Sequence, residues 1–202
     1  EGAQVHILIM GEGITSRQDA RDRSVVQEEL QRLHADVQAA ASIVGAVSAE
    51  VLDFPDNRFD SVPLLELVKA VERKKSEVSP TVILTHHAND LNIDHRCTFE
   101  AVMTACRPVE DEAVREILSF EVPSSTEWRA PTAGNAFLPV QYVAVSADHV
   151  ERKISAMEAY GSERRAYPHP RSPEALRALA QWRGCSVGTE YAEAFEVIRK
   201  LL

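Results

Sequence analysis

The sequence predicts an α/β fold with a mostly parallel sheet and helices on both of its faces. Three observations carry this. Short apolar runs alternate with longer amphipathic segments through the first half of the chain. Each run ends in a polar loop that leads into a helix-like pattern. The 202 residues, 45% hydrophobic and 26% charged, suit one domain over residues 1–202 with a substantial core.

The elements follow in order. Residues 5–10, Val5-His-Ile-Leu-Ile-Met10, read as a buried strand ended by Gly11-Glu-Gly13. A long helix is expected from Asp19 to Ile43, with Val26, Leu30, Leu33, Val37 and Ala40 as its apolar stripe and Gly45 as its stop. Residues 49–53 form a short strand, and residues 54–60 a polar loop. Residues 62–75 form a helix with Leu64, Leu65, Val68 and Val71 facing inward. Residues 81–85 are the next strand, and a helix from Arg96 to Cys106 stops before Pro108. Strand-like runs recur at 116–122 and 140–145, separated by a loop rich in Pro, Ser, Thr and Gly. Helices are expected at 148–160, at 173–183 behind a Ser172 cap with Pro173 in the first turn, and at 190–202.

Alternating strands and helices imply right-handed crossovers and a Rossmann-like, three-layer α/β/α order. The loops after the first three strands then gather on one sheet edge. They carry Glu12, Thr15, Ser16 and Arg17; Asp56, Asn57, Arg58 and Asp60; and residues 86–95. That edge is where open α/β sheets hold ligands.

Composition excludes some partners. A formal net charge of -9 argues against nucleic acid or an anionic membrane surface, since both reward a basic face. No apolar run is long enough to span a bilayer. Cys97, Cys106 and Cys185 are odd in number and match neither a disulfide framework nor a zinc ribbon, so Cys97 and Cys106 read as packing residues. A reducing cytoplasm is the expected location.

The third loop holds the chemistry. Thr85-His-His-Ala-Asn-Asp-Leu-Asn-Ile-Asp-His-Arg96 places three histidines and two aspartates directly after a strand. Imidazole and carboxylate bind zinc or move protons near neutral pH. The bland alternative is a solvated loop in which Asp94 caps the following helix and Asp90 makes an Asx turn. His95, in a first helical turn, is well placed to be one metal ligand. His86 and His87 are neighbours on an extended segment, so at most one faces the site. Hydrolytic zinc needs three protein ligands, and this loop alone does not supply them. His6, His34 and His149 carry no functional reading.

The same residues resemble the second motif of the zinc-dependent N-deacetylases of the PIG-L/LmbE family. Other stretches agree in order: Ile7-Leu-Ile-Met-Gly-Glu-Gly-Ile-Thr-Ser-Arg17, Leu52-Asp-Phe-Pro-Asp-Asn-Arg58, Tyr160-Gly-Ser-Glu163 and Tyr191-Ala-Glu-Ala-Phe195. The resemblance implies removal of the acetyl group from an N-acetylglucosamine-type sugar, with zinc as cofactor and His95 as a ligand. It makes Asp94 the carboxylate that orients its neighbour, and sets Arg17, Asp56, Asn57 and Arg58 at the substrate. His169, in Tyr167-Pro-His-Pro-Arg171, is expected to approach from the carboxyl-terminal part.

Two departures stand out. Asn92 occupies the place where many members have a histidine. Asparagine can donate to an oxyanion but does not shuttle a proton at neutral pH. The family's His-Pro-Asp-Asp-Glu motif, which brings the other ligands and the general base, is absent from the sequence. Its strand is expected between those at Val5 and Thr81, and the sequence is expected to omit natural amino-terminal residues.

Two functions follow: a zinc-dependent amide hydrolase, or a non-catalytic sugar- or nucleotide-binding module on the same fold. A dinucleotide-binding or redox protein is disfavoured, since Gly11-Glu-Gly13 lacks a third glycine and no phosphate loop is present. A homo-oligomer sharing a sheet edge is compatible with the pattern, and no residue selects for it.

Overall fold

The computed structural model describes residues 2–17 and 26–202. The chain divides into two compact units, one of Glu1–Asp56 with Ala144–Glu193 and one of Asn57–Val143 with Ala194–Leu202.

In the first unit, β1 (His6–Gly11) and β2 (Ser48–Phe54) pair in parallel, His6 opposite Ser48. The His6 ring joins them, with Nδ1 2.8 Å from Ser48 Oγ. Helix α1 (Gln27–Val44) follows β1, and the start expected at Asp19 lies outside the described residues. Its stripe is as the spacing requires: Val26, Leu30, Val37 and Ala40 are buried and Leu33 is half-buried. Gly45 ends α1 at φ 76°, a left-handed conformation that a side chain would strain. Helices α4 (Ala147–Ala159) and α5 (Pro173–Cys185) start at serine caps: Ser146, reciprocated by His149, and Ser172, followed by Pro173. Val150, Ile154, Leu176, Ala180 and Tyr191 form this unit's core, joined by half-buried Val145 and Met157.

In the second unit, α2 (Leu64–Val78) packs against α3 (Ile93–Ala105). The strands β3 (Val82–His86), β4 (Glu116–Phe120), β5 (Gln141–Val145) and β6 (Tyr191–Lys200) are ordered β3-β4-β6-β5. β3 and β4 are parallel, whereas β6 runs antiparallel to β4. Cys106 is fully buried at the end of α3, and burial pushes its thiol pKa up, so it packs as a neutral group. All three cysteines are free. Among the described residues no helix is long and apolar enough to cross a membrane.

The α/β class and most elements agree with the sequence, and four details differ. The strands form two sheets rather than one, with β1 and β3 in different sheets. The inward face of α2 is Leu67, Val68 and Val71, while Leu64 and Leu65 are exposed. Both candidate stripes share Val68 and Val71, and packing on α3 selects the one turned toward Leu67. Phe59, expected in a polar loop, is buried in the 3-10 turn Phe59–Ser61. The terminal segment expected as a helix is β6. Tyr191, Phe195 and Ile198 satisfy a helical period, but Tyr, Phe, Val and Ile also favour strands, and the ladder to β4 decides: Leu118 opposite Val197, Ser119 opposite Glu196, Phe120 opposite Phe195.

Gly184 tests the packing of the first unit. A Cβ there would sit 2.6 Å from the Thr189 carbonyl oxygen and 2.7 Å from that of Glu190. Helix propensity alone would make Gly184→Ala stabilising by about 1 kcal/mol. The clash is expected to reverse the sign, giving a loss of about 1–3 kcal/mol in urea denaturation. A stabilised variant would contradict this packing.

Candidate active site

The buried carboxylate of Asp90 organises the loop between β3 and α3. Asp90 is 0% exposed. Its Oδ1 accepts from the Asn92 amide at 2.9 Å, from His95 Nδ1 at 3.0 Å and from Ser125 Oγ. Its Oδ2 accepts from Thr126 Oγ1 at 2.6 Å. Four donors thus converge on the carboxylate, three of them on Oδ1 and one on Oδ2. Burial pushes the Asp90 carboxyl pKa up, but the bonds from His95, Ser125 and Thr126 outweigh that and hold it below the ordinary carboxylate range. The bond to Asn92 is the Asx turn expected from the sequence.

That turn sets the start of α3. Asn92, not Asp94, is the N-cap: its Oδ1 accepts from the Asp94 amide at 2.8 Å. Asp94 instead accepts from the Asn57 amide at 2.6 Å and the Phe59 amide at 2.9 Å. It therefore fixes the Asn57-Arg58-Phe59 segment. The carboxylate that orients His95 is Asp90, a correction to the reading that gave this contact to Asp94. Adjacency in sequence suggested Asp94, but in the first helical turn its side chain reaches the neighbouring loop. Arg96 adds a further restraint, NH1 donating to the carbonyls of Asp90 and Leu91 at 2.7 Å each.

His86 and His87 diverge as their extended backbone requires. The His86 ring stacks on His95, centroids 3.9 Å apart and planes 2° from parallel, with Phe120 edge-on at 5.1 Å. Burial, then the nearby His95, push the His86 pKa down to about 3 against an opposing pull from Asp90, so this ring is neutral. His87 turns to other partners: Nδ1 lies 2.7 Å from Glu196 Oε2, and Nε2 lies 3.1 Å from the Asn135 carbonyl. Both are acceptors, so both contacts are hydrogen bonds when the ring carries both protons. Glu196 also accepts from Ser119 Oγ at 2.6 Å and from the Leu138 amide at 2.8 Å. Together these clamp residues 135–138.

Zinc can be tested against this geometry. With Nδ1 donating to Asp90, His95 presents Nε2 as a lone-pair donor, which is how metal-bound histidines are oriented. His86 does not join it. A metal lies in the plane of each imidazole that binds it, and the two stacked rings have parallel planes. The oxygens of Asp90 and Asp94 are engaged by protein donors. Among the described residues no group of three His, Cys, Asp or Glu side chains is placed to hold a metal. His95 fits as one ligand, and the described residues do not complete a three-ligand zinc set.

The remaining predicted residues fall as follows. Ser16 Oγ donates to Asp56 Oδ2, joining the loops after β1 and β2 within the first unit. Arg17 closes the 3-10 turn Thr15–Arg17. In the same unit, His169 Nδ1 accepts from the Arg171 amide at 3.1 Å. Asn57 is held at φ 53° and Arg58 precedes the Phe59 turn in the second unit. Sequence reasoning missed Ser125, Thr126 and Glu196. The hydroxyl run Ser124-Ser125-Thr126 was a signal, yet nothing local couples it to Asp90.

A mixed α/β scaffold carries, in the loop and first helical turn after a parallel strand, a histidine oriented by a buried carboxylate. The chain belongs to the PIG-L family, described as GlcNAc-PI de-N-acetylase, whose model matches residues 1–106. It is 26% identical over 134 residues to the uncharacterized deacetylase YaiS of Escherichia coli (strain K12), covering 64% of this chain and 65% of that protein. The chain thus spans just under two thirds of that relative's length. Among solved structures it resembles the N,N'-diacetylchitobiose deacetylase of Pyrococcus horikoshii complexed with its inhibitor MPG, at 16% identity, TM-score 0.73, and coverage of 98% of this chain and 74% of that one. It also resembles GalB, the 4-carboxy-2-hydroxymuconate hydratase of Pseudomonas putida KT2440, at 16% identity, TM-score 0.71, and coverage of 98% and 85%. These likenesses establish the fold.

Asp90→Asn is expected to lower stability by about 2 kcal/mol or more, because an amide nitrogen does not accept from these donors. Ser125→Ala is expected to lower it by about 1.5–3 kcal/mol. The pH dependence follows from the depressed carboxyl. Its folded pKa lies below the unfolded value of about 3.9, so its contribution is complete above about pH 5 and fades as the pH falls below about 4. The gap between wild type and Asp90→Asn should therefore narrow in acid. Urea denaturation at several pH values measures it, and a gap that is negligible or independent of pH would contradict the assignment.

Proposed function

We propose that this protein is a zinc-dependent hydrolase that removes the N-acetyl group from an N-acetylglucosamine-type sugar. The observation that carries the reading is His95, pinned through Nδ1 to a buried, ionised Asp90 with Nε2 left to bind. Membership of a family described as a de-N-acetylase supports the reaction class. The diacetylchitobiose deacetylase among the structural relatives supports a sugar substrate. Zinc would supply carbonyl polarisation and an acidified water. Of its ligands, the described residues provide His95.

The other residues take roles that their contacts support. Asn92 uses Oδ1 for the helix cap, which leaves its Nδ2 amide to donate to the oxyanion formed from the acetamide. Asp94 positions Asn57 and Arg58 through the backbone amides of Asn57 and Phe59, and these two side chains contact the sugar. Arg17, Asp56 and His169, in the first unit, are proposed as substrate-binding residues from the family resemblance. The substrate is an N-acetylated amino sugar, and the cytoplasm is the proposed compartment. The second reading, a binding module without turnover, predicts sugar binding that does not depend on zinc.

Acetate release from N-acetylglucosamine and N,N'-diacetylchitobiose, measured with the full-length protein with and without zinc, tests the reading. His95→Ala is expected to abolish zinc uptake and turnover. Asn92→Asp keeps a good helix cap but loses the amide donor, so kcat is expected to fall about 100-fold with stability almost unchanged. Full turnover by His95→Ala would overturn the proposal. Sugar binding by wild type with no acetate release would favour the binding module.

A further inference from the structure

A cavity lies within the first unit, lined by none of the site residues assigned above. It has a volume of about 150 Å³ and is lined by the apolar side chains of Ile154, Met157 and Leu176 and by Arg164, Arg165 and Arg171. A cavity of about this size accommodates a single six-membered ring. Three arginines between residues 164 and 171 invert the local sign in a chain of net charge -9.

Two of the arginines are held in place by backbone carbonyls. Arg164 Nε donates to the Glu158 carbonyl at 2.9 Å. Arg165 NH1 donates to the carbonyls of Ser162 at 2.9 Å and Arg164 at 2.7 Å. Neutral carbonyls leave both guanidinium charges uncompensated by these contacts. Arg171 NH1 pairs with Glu163 Oε2 at 2.5 Å, while its Nε is buried and has no hydrogen-bond partner among the described residues. A buried donor of this kind costs about 1–3 kcal/mol unless something accepts from it. The Glu158 side chain also lines the cavity. Against Glu158 and Glu163, the three arginines leave an excess of positive charge.

We infer that this cavity binds a small organic anion, a ring-sized apolar body bearing a phosphate or carboxylate head. The body would fill the space between Ile154, Met157 and Leu176. The head would be met by guanidinium forks, whose planar donors match both oxyanions. The site lies in the carboxyl-terminal half of the sequence, and the His95 chemistry does not require it.

Titration calorimetry on the full chain tests the inference with phenyl phosphate and benzoate, and with benzyl alcohol as the uncharged control. The double variant Arg164→Ala/Arg165→Ala removes two exposed side chains and leaves Arg171 with Glu163, and its thermal unfolding reports whether the fold is kept. One molar equivalent of at least one anion is expected to bind wild type. Affinity should fall about tenfold or more in the variant, as for loss of a charge-assisted contact. Benzyl alcohol should bind more weakly by a similar factor. Should the double variant be unfolded, Leu176→Trp, which fills the cavity from its apolar wall, is expected to abolish binding. No binding of either anion to wild type, unchanged affinity in a folded variant, or equal affinity for benzyl alcohol would overturn the inference.

Discussion

The second unit depends on one buried charge. An ionised carboxylate removed from water is costly by many kcal/mol unless donors replace the lost solvent. Asp90 has four, drawn from three separate stretches: its own turn, the first turn of α3, and Ser125 with Thr126. Satisfying it joins these stretches and sets the ring of His95 at the same time. Structural and chemical roles therefore coincide in one residue. Removing a donor would leave the charge under-solvated, and removing the charge would leave the donors without an acceptor.

Neighbouring contacts extend this order outward. Asn92 converts the Asp90 turn into the cap of α3. Asp94, one residue before His95, ties the helix start to the Asn57–Phe59 segment. His86, kept neutral by burial, gives His95 a flat apolar surface. On the other side of the strand end, His87 and Glu196 fix residues 135–138 by a separate network. The two histidines that begin the motif thus do different work: one stacks, the other clamps a loop.

Much of this was legible in the sequence, and for physical reasons. Apolar period and capping residues are local, so β1, β3, α4 and α5 and the Ser172 cap of α5 could be read directly. Asp90 in an Asx turn followed from its residue type. What failed was non-local. Choosing Asp90 over Asp94 as the partner of His95 required knowing that Ser125 and Thr126 would bury Asp90. The face of α2 depended on where α3 packs. β6 satisfies helical and strand patterns alike, and only the ladder to β4 resolves it. The division into two sheets is likewise a matter of pairing, which no single segment encodes.

The central claim is that Asp90 holds His95 as the tautomer with the proton on Nδ1, leaving Nε2 as the metal-binding nitrogen. Nitrogen-15 NMR of the histidine rings measures this directly. In the neutral ring the His95 signals should show Nδ1 protonated and Nε2 bare, and added zinc should shift Nε2 alone. In Asp90→Asn this preference should be lost. A His95 ring protonated on Nε2, or a zinc-induced shift at Nδ1, would contradict the account.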